Sequence, residues 1–177
     1  KEREELTAAI SKSTNEHEKY KATLQKDFGL KHVSRNDIIR YKLYLELKDN
    51  NYKTLYSNTY IEPGKLFSKE FDIEHIIPQS RLFDDSFSNK TLESRSVNIE
   101  KANETAYDYV KNKTDEKGLI EYLKRIEDLY KSGEIKKTKY NKLKMTGKDI
   151  PDNFIARDLR DTQKKKKKAK SILEELV

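Results

Sequence analysis

The sequence predicts an α+β fold, mostly helical, with two short strands near its centre. Three observations carry this. Apolar residues recur at helical spacing through long charged segments on both sides of the middle of the chain. Residues 71–103 read in the order strand, loop, strand, helix. The 177 residues are 34% hydrophobic and 39% charged, which suits one modest core carrying helices with solvated or partner-facing surfaces. Regularly spaced Tyr, Phe, Leu and Ile separate this composition from that of a disordered chain.

Residues 2–27 read as one long helix, with Leu6, Ile10, Tyr20 and Leu24 near helical spacing and His17 on the same face as a packed or half-exposed residue. Gly29 is placed to end it. Ser34, followed three residues later by Asp37, resembles a capping box. A second helix follows to about Leu47, with Ile38, Tyr41 and Leu45 on one stripe, and Asp49, Asn50 and Asn51 stop it. Residues 52–70 are irregular, with a turn at Pro63-Gly64 and short extended pieces around Leu55 and Tyr60. Strands fit Phe71–His75 and Lys90–Glu93, joined by a loop from Pro78 to Ser88, and a helix begins near Ser96. Leu119, Leu123, Ile126 and Tyr130 mark a further amphipathic helix closed by Gly133. A short helix covers about 135–144, residues 147–151 connect, and 152–163 and 167–176 read as helical.

The composition excludes several classes. With no Cys there is neither a disulfide framework nor a cysteine-based zinc site. No apolar run approaches the roughly 20 residues that span a bilayer, so no membrane partner is expected. No signal peptide is visible, and a chain that opens on Lys1 inside a helix reads as a piece of a larger protein. The net charge is +7, of which residues 164–177, with six Lys and two Glu, supply +4. That balance favours nucleic acid only weakly, because a Lys-rich tail is commonly a solvated end.

The chemistry concentrates in Asp72-Ile73-Glu74-His75-Ile76-Ile77-Pro78-Gln79-Ser80. Asn89 lies 14 residues beyond His75, and Asn98 lies 23 beyond it. Metal-assisted phosphodiester hydrolysis needs a base for water, and a neutral imidazole with a pKa near 6.5 suits neutral pH. It also needs a hard cation at the leaving oxygen. Mg²⁺ takes oxygen ligands and keeps several waters, so one carboxylate and one amide oxygen are sufficient protein ligands. Glu74, His75 and Asn98 provide that set. A plain strand points Glu74 and His75 to opposite faces, so sharing a site requires the strand to twist, bulge or end there. Taken alone, an adjacent Glu–His pair is most often structural or solvated.

Ile73-Glu74-His75-Ile76-Ile77-Pro78-Gln79-Ser80, Asp84-Asp85-Ser86, Asn89-Lys90-Thr91-Leu92, Asn98 and Lys101 together resemble, in motif and spacing, the HNH domain of type II CRISPR effector nucleases. Phe154-Ile155-Ala156-Arg157-Asp158-Leu159-Arg160-Asp161-Thr162 resembles the linker that leads from that domain into the RNase H-like nuclease domain, and Lys1–Ile10 the arm leaving it. The resemblance implies a ββα-metal core of two short antiparallel strands, at about 71–110, wrapped in helices. It implies a linker helix at 1–33, the nuclease domain at 34–150 and a second linker at 151–177. His75 then matches the general base and Asn89 the Asn that holds the loop and helps orient it. Glu74 and Asn98 match the metal ligands, and Lys101 a basic residue near the scissile phosphate. Asp72, Asp84 and Asp85 are read as surface or loop-capping residues.

Two features depart from the family: Glu74 stands where many relatives carry Asp, and Lys164–Lys168 replaces an expected apolar continuation. The implied cofactor is Mg²⁺, with Mn²⁺ as a substitute. The implied substrate is the DNA strand paired to a guide RNA, within an RNA–DNA heteroduplex held by the rest of the effector. The setting would be the bacterial cytoplasm, and the isolated domain a monomer. Two other readings stand beside this one. The first is a non-catalytic conformational or nucleic-acid-binding module, against which the intact Glu74, His75 and Asn98 argue. The second is a free-standing HNH homing endonuclease, against which residues 154–162 argue.

Overall fold

The computed structural model describes residues 1–150; the C-terminal linker at 151–177, its helices and the Lys run lie outside the described residues. Among the described residues, six α-helices surround a single two-stranded antiparallel sheet. Helix α1 runs Glu2–Asp27 and α2 runs Arg35–Glu46. Strand β1 is Phe71–His75 and β2 is Lys90–Ser94. Helices α3 (Arg95–Lys101), α4 (Ala106–Lys113), α5 (Glu116–Lys131) and α6 (Lys137–Leu143) follow.

The local signals act as expected at most boundaries. Asp37 N–H donates to the Ser34 hydroxyl and Ser34 N–H donates to the Asp37 carboxylate, closing the capping box of α2. Gly29 takes a φ of +68°, and Leu30 N–H reaches back to the Leu24 carbonyl at 3.2 Å, so α1 ends in a left-handed turn. Ser94, Thr105 and Asp115 cap α3, α4 and α5 through their side chains.

The apolar stripe of α1 behaves differently from what its spacing predicts. Only its C-terminal end packs: Leu24 is fully buried, whereas Leu6 and Ile10 are 63% and 59% exposed and His17 is exposed too. Helical spacing reports a face, and whether another element covers that face is a tertiary matter. The packed end is held by aromatic edges, with Tyr20 and Phe28 each 5.6 Å from Tyr41 and Phe28 5.6 Å from Phe67.

One core unites the sheet with the helices. Ile76, Ile77, Leu82 and Leu92 from the hairpin pack with Leu43 and Leu47 at the end of α2, Tyr109 and Val110 of α4, Tyr122, Ile126 and Leu129 of α5, and Leu143 of α6. Polar ties fix the surrounding segments. Arg40 donates to the Phe71 carbonyl at 2.6 Å, fastening α2 to β1. Arg125 donates to the Leu55 carbonyl at 2.9 and 3.1 Å, fastening α5 to the irregular segment at 52–62. That segment lies against β2 through Glu93, which is fully buried and accepts from Ser57 Oγ and from the backbone N–H groups of Tyr56, Ser57 and Ser94. Burial pushes the Glu93 carboxyl upward against the pull of these donors.

Candidate active site

The hairpin register sets Glu74 opposite Thr91 and His75 opposite Lys90. Strand β1 stops at His75, and the chain bends through Ile76 and Ile77. This ending lets two residues of opposite strand faces border one space. Glu74, His75, Asn98 and Lys101 line a single open cleft of about 300 Å³, together with Gln79 and Ser80. The structure thus brings together four of the five residues singled out in the sequence, and Asn89 supports them from beneath.

Asn89 is fully buried at the foot of β2. Its Oδ1 accepts from Ile77 N–H at 2.9 Å, and its Nδ2 donates to the Ile77 carbonyl at 3.0 Å and the Asp84 carbonyl at 2.8 Å. The Asn89 carbonyl also accepts from Ile76 N–H. These bonds pin the bend that follows His75 and anchor the loop at 78–88. Asn89→Ala leaves two buried backbone groups and a half-buried one without their partner and should lower stability by about 3 kcal/mol. Urea unfolding checks this, and a loss under about 1 kcal/mol would show that the bend does not depend on the amide.

Glu74 is 3% exposed, and its two oxygens are both engaged. Lys101 Nζ donates to Oε1 at 2.6 Å and the Tyr56 hydroxyl donates to Oε2 at 2.6 Å. Burial pushes the Glu74 carboxyl up, opposed by Lys101 and Tyr56. The Tyr56 phenol is pushed well above its ordinary value by burial and by the neighbouring carboxylate. Lys101 lines the same cleft but is 1% exposed, and its ammonium donates to Glu74 and to the His75 carbonyl at 3.0 Å. An ammonium this deep is stable only beside a carboxylate.

Asn98, half-buried on α3, donates from Nδ2 to Asp72 at 3.1 Å. A carboxylate only accepts, so Asp72 turns the amide and directs Asn98 Oδ1 away from itself. His75 lies at the rim with 26% of its side chain exposed, and its Nε2 is 2.9 Å from Asp85 and 3.3 Å from Gln79. Lys90 Nζ also reaches Asp85, at 3.1 Å. The hydrogen bond with His75, aided by Lys90, holds the Asp85 carboxyl below its ordinary range. Asp84 caps its loop by accepting from Ser86 N–H at 2.9 Å and pairs with Lys142. Asp84 is thus a loop-capping residue and Asp85, 62% exposed, a surface one that also contacts His75, while Asp72 is half-buried and accepts from Asn98.

The donor set suits a hard cation. Lys101 and Tyr56 use two of the roughly four acceptor positions of the Glu74 carboxylate, and Asn98 adds an amide oxygen at the same cleft. Among the described residues no three His, Cys, Asp or Glu side chains converge on one point, so an ion here would keep several waters, as Mg²⁺ does. The sequence does not single out Tyr56, and it gives Asp85 no part beside His75. Tyr56 comes from an irregular stretch with no periodic signal, and Asp85 is one of two adjacent acids that look alike in sequence.

The fold and this cleft define a nuclease of the two-strand, one-helix kind: residues 54–107 match the family model described as HNH endonuclease. The chain is 35% identical over 119 residues to the CRISPR-associated endonuclease Cas9 of Staphylococcus aureus, covering 63% of this chain and 11% of that protein. It is 38% identical over 96 residues to Cas9 of Campylobacter jejuni, covering 54% and 9%. Among solved structures, Streptococcus thermophilus Cas9 in complex with AGGA PAM matches 99% of this chain and 18% of its own, with a TM-score of 0.62 at 23% identity. The type II-C Cas9 of Actinomyces naeslundii matches 81% and 15%, with a TM-score of 0.62 at 22% identity. Residues 54–107 are thus similar to HNH endonucleases, and the relatives that the chain resembles over a longer stretch are CRISPR-associated endonucleases. The chain spans about a tenth of the length of the curated relatives it matches.

Proposed function

We propose that this chain is the module of a CRISPR RNA-guided effector that hydrolyses the DNA strand paired to the guide RNA. The observation that carries the reading is the meeting of Glu74, His75 and Asn98 at one cleft. Mg²⁺, with Mn²⁺ as a substitute, would be held by Glu74 and Asn98 and would supply charge stabilisation at the leaving oxygen. His75 takes the proton from the attacking water as the new phosphorus–oxygen bond forms and the bond to the leaving oxygen breaks. Asn89 fixes the bend that presents His75. Asp72 orients the Asn98 amide. Lys101 and Tyr56 keep Glu74 in place at the wall of the cleft. Residues 1–33 and 151–177 serve as linkers to an RNase H-like domain, and the rest of the effector holds the heteroduplex by shape and backbone.

An NMR titration of the 177-residue chain with Mg²⁺ tests this reading. The expected shifts cluster at residues 74, 75 and 98, weaken in Asn98→Ala and persist in His75→Ala. Absence of specific shifts at millimolar Mg²⁺ would remove the metal role of Glu74 and leave a binding or conformational module.

A further inference from the structure

We propose that Asp85 is a positioning residue for His75: it holds the imidazole proton on Nε2 and so leaves Nδ1 as the lone pair that receives the proton from water. The inference rests on the reading of His75 as the base, whereas the tautomer rests on the partners of the ring. Asp85 Oδ1 lies 2.9 Å from Nε2. An ionised carboxylate has no proton to give, so the ring atom that faces it must be the N–H.

Three features keep Asp85 ionised and in place. Lys90 Nζ sits 3.1 Å from the same oxygen, and Lys90 is buried, 8% exposed, so its charge is a fixed part of the site. The hairpin register pairs His75 with Lys90 directly, so Asp85 spans two residues that the sheet itself holds side by side. The preceding residue is anchored three ways: the Asp84 carbonyl accepts from Asn89, and its carboxylate accepts from Ser86 N–H and Lys142. Asp85 is therefore presented from a loop tied to the strand, to the buried Asn89 and to α6.

A competing contact sharpens the test. Gln79 Nε2 lies 3.3 Å from the same ring nitrogen. If that amide donated, Nε2 would have to be the bare lone pair and the proton would sit on Nδ1. The two partners demand opposite tautomers. The shorter contact to a charged acceptor prevails, because charge-assisted bonds are about twice as strong as neutral ones. The Gln79 amide then turns its oxygen toward the ring or stands off.

Long-range ¹H–¹⁵N correlation of the His75 ring reads the tautomer directly. The spectrum is recorded on the 177-residue chain at a pH where the ring is neutral, and His75→Ala assigns the signals. The wild type should show a protonated Nε2. In Asp85→Ala the Nε2-protonated population should fall, because the charged acceptor is gone and the Gln79 amide, which can either donate or accept, is the remaining partner. Asp85→Asn, whose amide can either donate or accept, should give a mixture, and Gln79→Ala should leave the wild-type tautomer unchanged. A wild-type ring protonated on Nδ1, or an Asp85→Ala tautomer identical to wild type, overturns the inference and leaves the base assignment untouched. Cleavage of the guide-paired strand by the parent effector should fall in Asp85→Ala, by no more than the roughly 10²–10⁴-fold that a positioned general base contributes. A shifted tautomer with undiminished cleavage would instead count against His75 as the base.

Discussion

Replacing His75 with alanine should slow cleavage of the guide-paired strand by the parent effector by roughly 10²–10⁴-fold, the usual contribution of a positioned general base. The chain itself should remain folded. His75 is at the rim of the cleft, with 26% of its side chain exposed, and truncating such a residue changes stability by about 0.5 kcal/mol or less. Mg²⁺-induced shifts at Glu74 and Asn98 should survive, because the proposed ligands are intact. Added imidazole should restore part of the rate, since what is missing is a base and not a scaffold. A fall of less than tenfold, or loss of the Mg²⁺ response, would assign His75 a different role.

Lys101→Met should cost the most stability, about 3–5 kcal/mol, the usual penalty for removing one partner of a buried ion pair. Lys101 and Glu74 are 1% and 3% exposed and meet at 2.6 Å. Without the ammonium, Glu74 keeps only the Tyr56 hydroxyl as a donor. The double variant Lys101→Met with Glu74→Gln removes the stranded charge and should recover most of the loss. Urea unfolding in the presence of EDTA measures both. A single-variant cost under about 1 kcal/mol would mean that the carboxylate finds another partner, and the pairing of these two residues would lose its structural importance.

Much of the local architecture is legible in the amino-acid sequence. The capping box at Ser34 and Asp37, the left-handed ends at Gly29 and Gly133, and the hairpin with its following helix are written in neighbouring residues. The family likeness around residues 73–101 also points to Glu74, His75, Asn89 and Asn98, and these do converge at or beneath one cleft. Their spacing within a strand–loop–strand–helix unit is short enough for the unit's own geometry to bring them together.

Residue order alone settles the set of elements, their succession and the residue types available for chemistry. Those depend on turn preferences, caps and periodicity, which act over a few residues. The choice of polar partners belongs to the folded chain. Lys101 reads as a basic residue near the scissile phosphate, and its pairing with Glu74 comes from α3 turning it under β1. Tyr56 reaches the same carboxylate from 18 residues upstream because the buried Glu93 fastens its segment to β2. Asp84 and Asp85 are alike in sequence, and the anchored loop sends one to Lys142 and the other to His75. The apolar face of α1 at Leu6 and Ile10 has the spacing of a buried stripe but stays exposed. In each case the outcome depends on what lies opposite in space. Burial makes unpaired charge costly, so the fold selects partners from whichever segments it brings within reach.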